Sequence, residues 1–316
     1  MLEMNATEPV RFGTRGSTLA MTQTGTAADE LAELGGFDVE LVKIKTEGDV
    51  FKGSLTQIGG TGVFVTALRD ALLRGQCDVA VHSLKDLPTE PASDLDVAAI
   101  PPRVDYRDAL CARDGLTLAE LPPESRIGTG SPRRGAQILA ARPDLEVVDI
   151  RGNVETRLGR VAPGDLDAVV LAAAGLERLG KLEVVTEFLD PSVMLPAPAQ
   201  GALALECRSE ADHSSSALAK ALAAYDHEAT RLSVTAERAL LSRLEAGCTA
   251  PIGALGSVTS DRLSLEAVVC NPDGSQIIRR SVETDDVSLL GARSLGVELA
   301  EKLLEAGAAT LTPLAE

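Results

Sequence analysis

"LPAPAQGALALECR", residues 195–208, opens on alternating prolines, passes a glycine and ends in a strand-like alternation. Proline fixes φ and donates no hydrogen bond, and glycine permits a sharp turn. Such a stretch, lying between two regular regions, reads as a crossing between domains. A second one lies upstream in "IPPRVDYRD" (100–108). Before it the chain alternates strand and helix. "VRFGTR" (10–15) is a strand, Ser17 caps a helix to about Leu34, and "VELVKIK" (39–45) is a strand. A glycine-rich loop, "GGTGVF" (59–64), then leads a helix through Leu73, and "DVAVHS" (78–83) is a third strand. Between the crossings the rhythm repeats: "SRIGTG" (125–130) ends a strand and Ser131 caps a helix with Pro132 at its first position. "LEVVDI", "RGNVETRL" and "LDAVVLAAAGLERLG" continue it. This βαβ order predicts two α/β domains with parallel sheets, joined by two crossings, with a cleft suited to a ligand between them.

After residue 224 the pattern changes to one amphipathic helix (227–246), three strand-like runs and a last helix (288–305). That predicts a small α+β domain. The expected boundaries are 1–101 with 202–222, 102–201, and 223–316.

The 316 residues carry 47 Asp plus Glu against 30 Lys plus Arg, a net charge of −17. An acidic surface of this kind repels nucleic acid and anionic lipid. Aromatics make up 2% of the chain, too few for base-stacking platforms. No nucleic-acid or membrane partner is expected. Five cysteines without a CxxC pair read as free thiols of a reducing compartment. The N-terminus lacks the basic and apolar regions of a signal peptide, so a cytoplasmic protein is expected, and a monomer is the plain expectation. Three histidines without ligand spacing predict no metal site.

In so acidic a chain the arginines at loop and helix-start positions stand out: Arg15, Arg107, Arg133, Arg134, Arg151, Arg157 and Arg178. Guanidinium forks match carboxylate or phosphate, and the helix start at Ser131 adds backbone donors. Either these arginines hold a small polyanion, or each pairs with a surface acid. In "VHSLKDLPT" (81–89), His82, Ser83, Lys85 and Asp86 crowd a strand end. Asp86 there can stabilise a cation or pass a proton, or the stretch is a solvated turn. Cys248, in "RLEAGCTAPIGA" (243–254), follows a helix end at Gly247. It is either a small residue in a tight corner or a thiol held out on a loop. Cys207 and Cys270 fall within strand patterns and read as core.

Taken together, "TRGSTLA" (14–20), "GGTGVF" (59–64), "AVHSLKDLPT" (80–89), "RDAL" (107–110), "GTGSPRR" (128–134), "RGNVETRL" (151–158), "LAAAGLERLG" (171–180), "LPAPAQGALALECR" (195–208), "VTAERALLSRLEAGCTAPIGA" (234–254) and "NPDGSQIIR" (271–279) resemble the hydroxymethylbilane synthase, or porphobilinogen deaminase, family. The motifs stand in family order from about residue 10 to the end of the chain. The resemblance implies an enzyme that joins four porphobilinogen molecules into a linear tetrapyrrole with loss of ammonia. The chain grows on a dipyrromethane cofactor attached by a thioether to the cysteine matching Cys248. It implies a fold of two doubly crossed α/β domains like those of type II periplasmic binding proteins, plus the small C-terminal domain.

The family's catalytic carboxylate matches Asp86. The implied cofactor-binding residues are Ser83, Lys85, Ser131, Arg133, Arg134 and Arg157. The implied substrate-binding residues are Arg15, Ser17, Phe64, Arg107, Arg151 and Arg178. One departure is Thr61, where the family's loop usually has lysine, which puts a direct charge contact there in doubt. Two other readings compete with the enzyme. A solute-binding receptor for carboxylates explains the arginines but gives Asp86 and Cys248 no task. A cysteine hydrolase lacks an identifiable histidine partner.

Overall fold

The computed structural model describes residues 8–44, 62–209, 216–244 and 250–314, with backbone alone for 62–64. Its elements run β1 (Val10–Thr14), α1 (Thr18–Gly35), β2 (Val39–Lys43), α2 (Gly62–Leu73), β3 (Val79–Ser83), β4 (Leu95–Ala99) and β5 (Asp108–Ala112). There follow β6 (Arg126–Gly128), α3 (Pro132–Ala141), β7 (Glu146–Val148), α4 (Val154–Leu158), β8 (Ala168–Ala172), α5 (Ala173–Arg178) and β9 (Glu187–Leu189). The chain finishes with β10 (Leu203–Arg208), α6 (Ala217–Tyr225), α7 (Glu228–Arg243), β11 (Ile252–Val258), β12 (Leu263–Cys270), β13 (Ile277–Thr284) and α8 (Leu289–Glu305). Among the described residues no helix is long and apolar enough to cross a membrane.

The chain forms two compact units, 1–102 with 202–228 and 103–201 with 229–316. The first holds a sheet of order β2-β1-β3-β10-β4. Side chains of β3 alternate across it. Val79 and Val81 pack with Phe12 and Leu31, while Ala80 packs with Leu68, Leu72 and Cys77 on the opposite face. The second unit holds a sheet of order β7-β6-β8-β5-β9 and the antiparallel sheet β11-β12-β13. On that three-stranded sheet α7 lays Leu232, Ala236 and Leu240, and α8 lays Leu295, Leu299 and Leu303. The four-residue spacing keeps each set on one helix face.

Both five-stranded sheets are mixed, which corrects the expectation of parallel sheets. β10 runs antiparallel to β3 and β4, and β5 antiparallel to β8 and β9. In each unit the reversed strand is the first one entered after a crossing. Alternation in sequence records which face of a strand is buried and carries no sign of its direction. The second crossing passes close to the first. At Gly201 (φ 89°) a Cβ would lie 2.8 Å from the Val104 carbonyl oxygen, so only glycine fits.

Candidate functional site

In the first unit the turn after β1 is built by side chains on backbone. Thr14 is buried and its Oγ1 donates to the Ala20 carbonyl (3.1 Å). Ser17 caps α1, its Oγ accepting from the Ala20 amide (3.3 Å). This fixes Arg15, half-buried, at the end of β1. At the end of β3 the chain enters a single 3-10 turn, Leu84–Asp86, closed by the Leu87 amide donating to the Leu84 carbonyl (3.2 Å). The turn leaves Lys85 exposed and Asp86 half-buried. Gln23 of α1 reaches across, its Nε2 donating to Ser83 Oγ (3.3 Å). Arg15, Gln23, His82, Ser83 and Asp86 line one cavity of about 110 Å³, with Val65 and Leu68 of α2 as apolar wall.

His82 is held from behind. Its Nε2 is buried 3.2 Å from Glu206 Oε2, out of line for a good hydrogen bond. Glu206 also accepts from Arg69 of α2, through Nε (3.1 Å) and Nη2 (2.9 Å). Burial works to raise the Glu206 pKa, but His82 and Arg69 outweigh it and hold the carboxyl below its ordinary value. A lowered folded-state pKa stabilises the fold above the unfolded value of about 4.3, and that stability is lost as pH falls through the lower folded value. Wild-type urea midpoints are therefore expected to drop on acidification below about pH 4. In Glu206→Gln the part of that drop due to Glu206 should vanish. Unchanged acid sensitivity in the variant would remove this carboxyl from the acid response.

In the second unit, Ser131 Oγ accepts from the Arg134 amide (3.4 Å) at the start of α3, with Pro132 following it. The first turn of α3 carries two arginines and no acid, against the usual preference of a helix start for negative charge. Both arginines are almost fully buried on Asp108, the first residue of β5. Arg133 Nη1 lies 2.7 Å from Asp108 Oδ2, and Arg134 Nη2 lies 2.7 Å from Oδ1. Gln200 Nε2 donates to the same Oδ1 (2.9 Å). Asp108 is 0% exposed, and burial works to raise its pKa. The charges of Arg133 and Arg134 overcome that and hold it far below the ordinary carboxylate range.

Arg157 of α4 donates through Nε to the Gly152 carbonyl (2.8 Å). Burial and then the positive charge of Arg134 pull its guanidinium below the ordinary value; Asp149 opposes this and Arg151 adds to it. Arg151 itself is exposed, 3.4 Å from Asp149. These arginines thus carry more positive charge than Asp108 and Asp149 compensate, which is a setting for an anion. Arg178 Nη2 donates to the Gly201 carbonyl (2.9 Å) at the second crossing. Arg107 lies in a local pair with Asp105 (2.7 Å) and over the Phe188 ring, 4.5 Å from its centroid.

The structure thus groups Arg15, Ser83 and Asp86 in one unit, and Ser131, Arg133, Arg134, Arg151 and Arg157 in the other. Phe64 lies in α2, and Thr61 and Cys248 lie outside the described residues. Burial disfavours the thiolate in the other four cysteines, pushing Cys77 and Cys270 up to about 11, and Cys111 and Cys207 up to about 12. Sequence reasoning missed Asp108, Gln200, Glu206 and Arg69. The only local signal for the first two is that "RDAL" and "PAPAQG" place a polar residue beside an apolar strand.

Comparison with known proteins decides among the readings. Residues 10–216 match the family described as porphobilinogen deaminase, dipyromethane cofactor binding domain, and residues 231–305 match its C-terminal domain. The chain belongs to the porphobilinogen deaminase family. A porphobilinogen deaminase of Leifsonia xyli subsp. xyli is 53% identical over 311 residues, covering 96% of this chain and 94% of its own length. Another, from Cutibacterium acnes, is 55% identical over 326 residues, covering 96% of this chain and 97% of its own length. A periplasmic substrate-binding protein of an ABC transporter from Coxiella burnetii is 14% identical in sequence. It aligns with a TM-score of 0.43 over 68% of this chain and 91% of that one. Family membership makes the chain an enzyme and sets aside the receptor and hydrolase readings. The matched region is that of a dipyrromethane cofactor binding domain, and the undercompensated guanidiniums of Arg134 and Arg157 suit a ligand bearing several carboxylates.

Proposed function

We propose that this chain condenses four porphobilinogen molecules head to tail into the linear tetrapyrrole hydroxymethylbilane, on a dipyrromethane cofactor held by Cys248. The observation that carries the reading is the cavity lined by Arg15, Ser83 and Asp86, in a chain of this family. Each addition breaks the C–N bond of an aminomethyl group and forms a C–C bond at a pyrrole carbon. Ammonia takes away the nitrogen and the ring carbon loses a proton, so the step needs no oxidant. When bound, the dipyrromethane supplies the pyrrole carbon to which the first unit is joined.

Asp86 is the catalytic residue. Its carboxylate stabilises the positive charge that builds on a pyrrole nitrogen as ammonia leaves, in a cavity whose apolar wall strengthens that interaction. Arg133, Arg134 and Arg157, with Ser83, Lys85 and Ser131, hold the cofactor. Arg15, Ser17, Phe64, Arg107, Arg151 and Arg178 hold porphobilinogen and the growing chain through its acetate and propionate groups. Residues 102–201 work as an anion-binding part and 223–316 as the part that carries Cys248. Separate sheets and separate family matches support this division. We assign the protein to the cytoplasm as a monomer, without nucleic-acid or membrane partners.

Intact-mass analysis tests the anchor. Wild-type chain from cells able to make porphobilinogen should carry an adduct of dipyrromethane size that colours with acidic Ehrlich's reagent. Cys248→Ala should show the bare mass and no turnover. Turnover by that variant would overturn the assignment of Cys248.

A further inference from the structure

Within the second unit, Arg133 has a second partner besides Asp108: its Nη1 donates to the Leu195 carbonyl at 2.6 Å. That carbonyl also accepts from Gln137 Nε2 (3.0 Å), while the Leu195 amide donates to Gln137 Oε1 (2.8 Å). One buried glutamine of α3 therefore clamps both backbone groups of a single residue. The carbonyl, with two lone pairs, serves the glutamine and the arginine together.

The C-terminal part of the chain presses on the same residue from the other side. The Ala254 amide of β11 donates to the Pro196 carbonyl (2.9 Å). At Gly253 a Cβ would lie 2.7 Å from the Leu195 oxygen and 2.8 Å from its Cβ, so glycine lets β11 lie directly on Leu195. Ala136, Leu195, Val268 and Cys270 close over the contact as one buried apolar cluster. The turn between β12 and β13 adds a second brace, since Gly274 (φ 71°) packs on the backbone of α3 at Ala136 and Ala140. β11 begins four residues after Cys248 in sequence.

We propose that Gln137 and Leu195 form a positioning link by which the C-terminal part of the chain sets the Arg133 side chain. The arginine pair is then in place for the cofactor only while β11 is seated on Leu195. Apolar contacts alone would dock the two parts. The buried polar clamp adds direction, because Arg133 can keep its Leu195 bond only in one orientation, and a donor or acceptor left unmatched there is costly. The link rests on the proposed roles of Arg133 and Cys248. Gln137 touches no reacting atom and acts through Arg133.

The test follows cofactor loading. Full-length chain is made in cells that produce no porphobilinogen and then incubated with porphobilinogen well below its unfolding temperature. Intact mass is read against time. Gln137→Met keeps the side chain's length and removes its two hydrogen bonds to Leu195, with a weaker one from Nε2 to the Arg133 carbonyl (3.4 Å). It should load about tenfold more slowly than wild type, as expected for a binding group held out of place, while its unfolding midpoint stays within a few degrees. Should that variant not fold, Gln137→Glu keeps the bond from the Leu195 amide and turns the donor to its carbonyl into an acceptor; the same slowing is expected. Loading at the wild-type rate by either folded variant would overturn the link. Failure of wild type to load, or an adduct on Cys248→Ser, would instead overturn the reading beneath it.

Discussion

Asp86→Asn leaves the dipyrromethane adduct on the protein and lowers porphobilinogen turnover by about 100- to 1000-fold, the usual cost of removing one preorganised group that meets transition-state charge. Asparagine has the same shape and can still face the cavity shared with Arg15, Gln23 and Ser83. What it loses is the negative charge. A group that acts on charge present chiefly in the transition state changes kcat and leaves substrate binding nearly untouched. The 3-10 turn Leu84–Asp86 is closed through backbone bonds, and Leu84 donates its amide to the Ala202 carbonyl (3.0 Å). The fold around the substitution should hold. Intact mass and single-turnover kinetics on one preparation check both halves of the result. A near-normal rate would remove Asp86 from the mechanism.

Asp108→Asn is expected to be the most damaging single change to the second unit. It removes the charge that lies between two neighbouring guanidiniums, themselves 4% and 6% exposed. Breaking a buried pair by deleting one partner typically costs about 3–5 kcal/mol, because the remaining charge stays desolvated. The denaturant midpoint should fall by a corresponding amount, and the fraction of chains loaded with cofactor should fall with it. The double variant Asp108→Asn/Arg133→Met removes one of the stranded charges. It should be less destabilised than the two single changes added together. Strict additivity in that cycle, or a cost well under about 1 kcal/mol for Asp108→Asn, would show that Asp108 does not hold the pair.

The fold was legible wherever the signal is local. Ser17 and Ser131 followed by helix-forming runs, Pro132 at a first helical position, and proline-marked crossings are read within a few residues, and the structure has the caps and helices there. Strand direction was not legible. β5 and β10 look like their neighbours in sequence and differ only in how the chain enters the unit. For the site, the arginine cluster could be seen because guanidinium is conspicuous in an acidic chain. Its compensation could not. Asp108 is 25 residues from Arg133, Gln200 is 92 from Asp108, and Glu206 is 137 from Arg69, and pairing over such separations depends on topology. The pyrrole chemistry rested on ordered family motifs throughout, since no spacing of charges names a pyrrole.

The position of β10 between β3 and β4 also bears on how the polypeptide is made. Those two neighbours leave the ribosome early, yet the strand that joins them is Leu203–Arg208, translated only after the whole span 103–201. Until then the nascent N-terminal sheet has an open slot with unpaired backbone on both sides. Its completion therefore waits until Leu203–Arg208 has emerged, when the intervening segment is already outside the exit tunnel and free to collapse around its own sheet first.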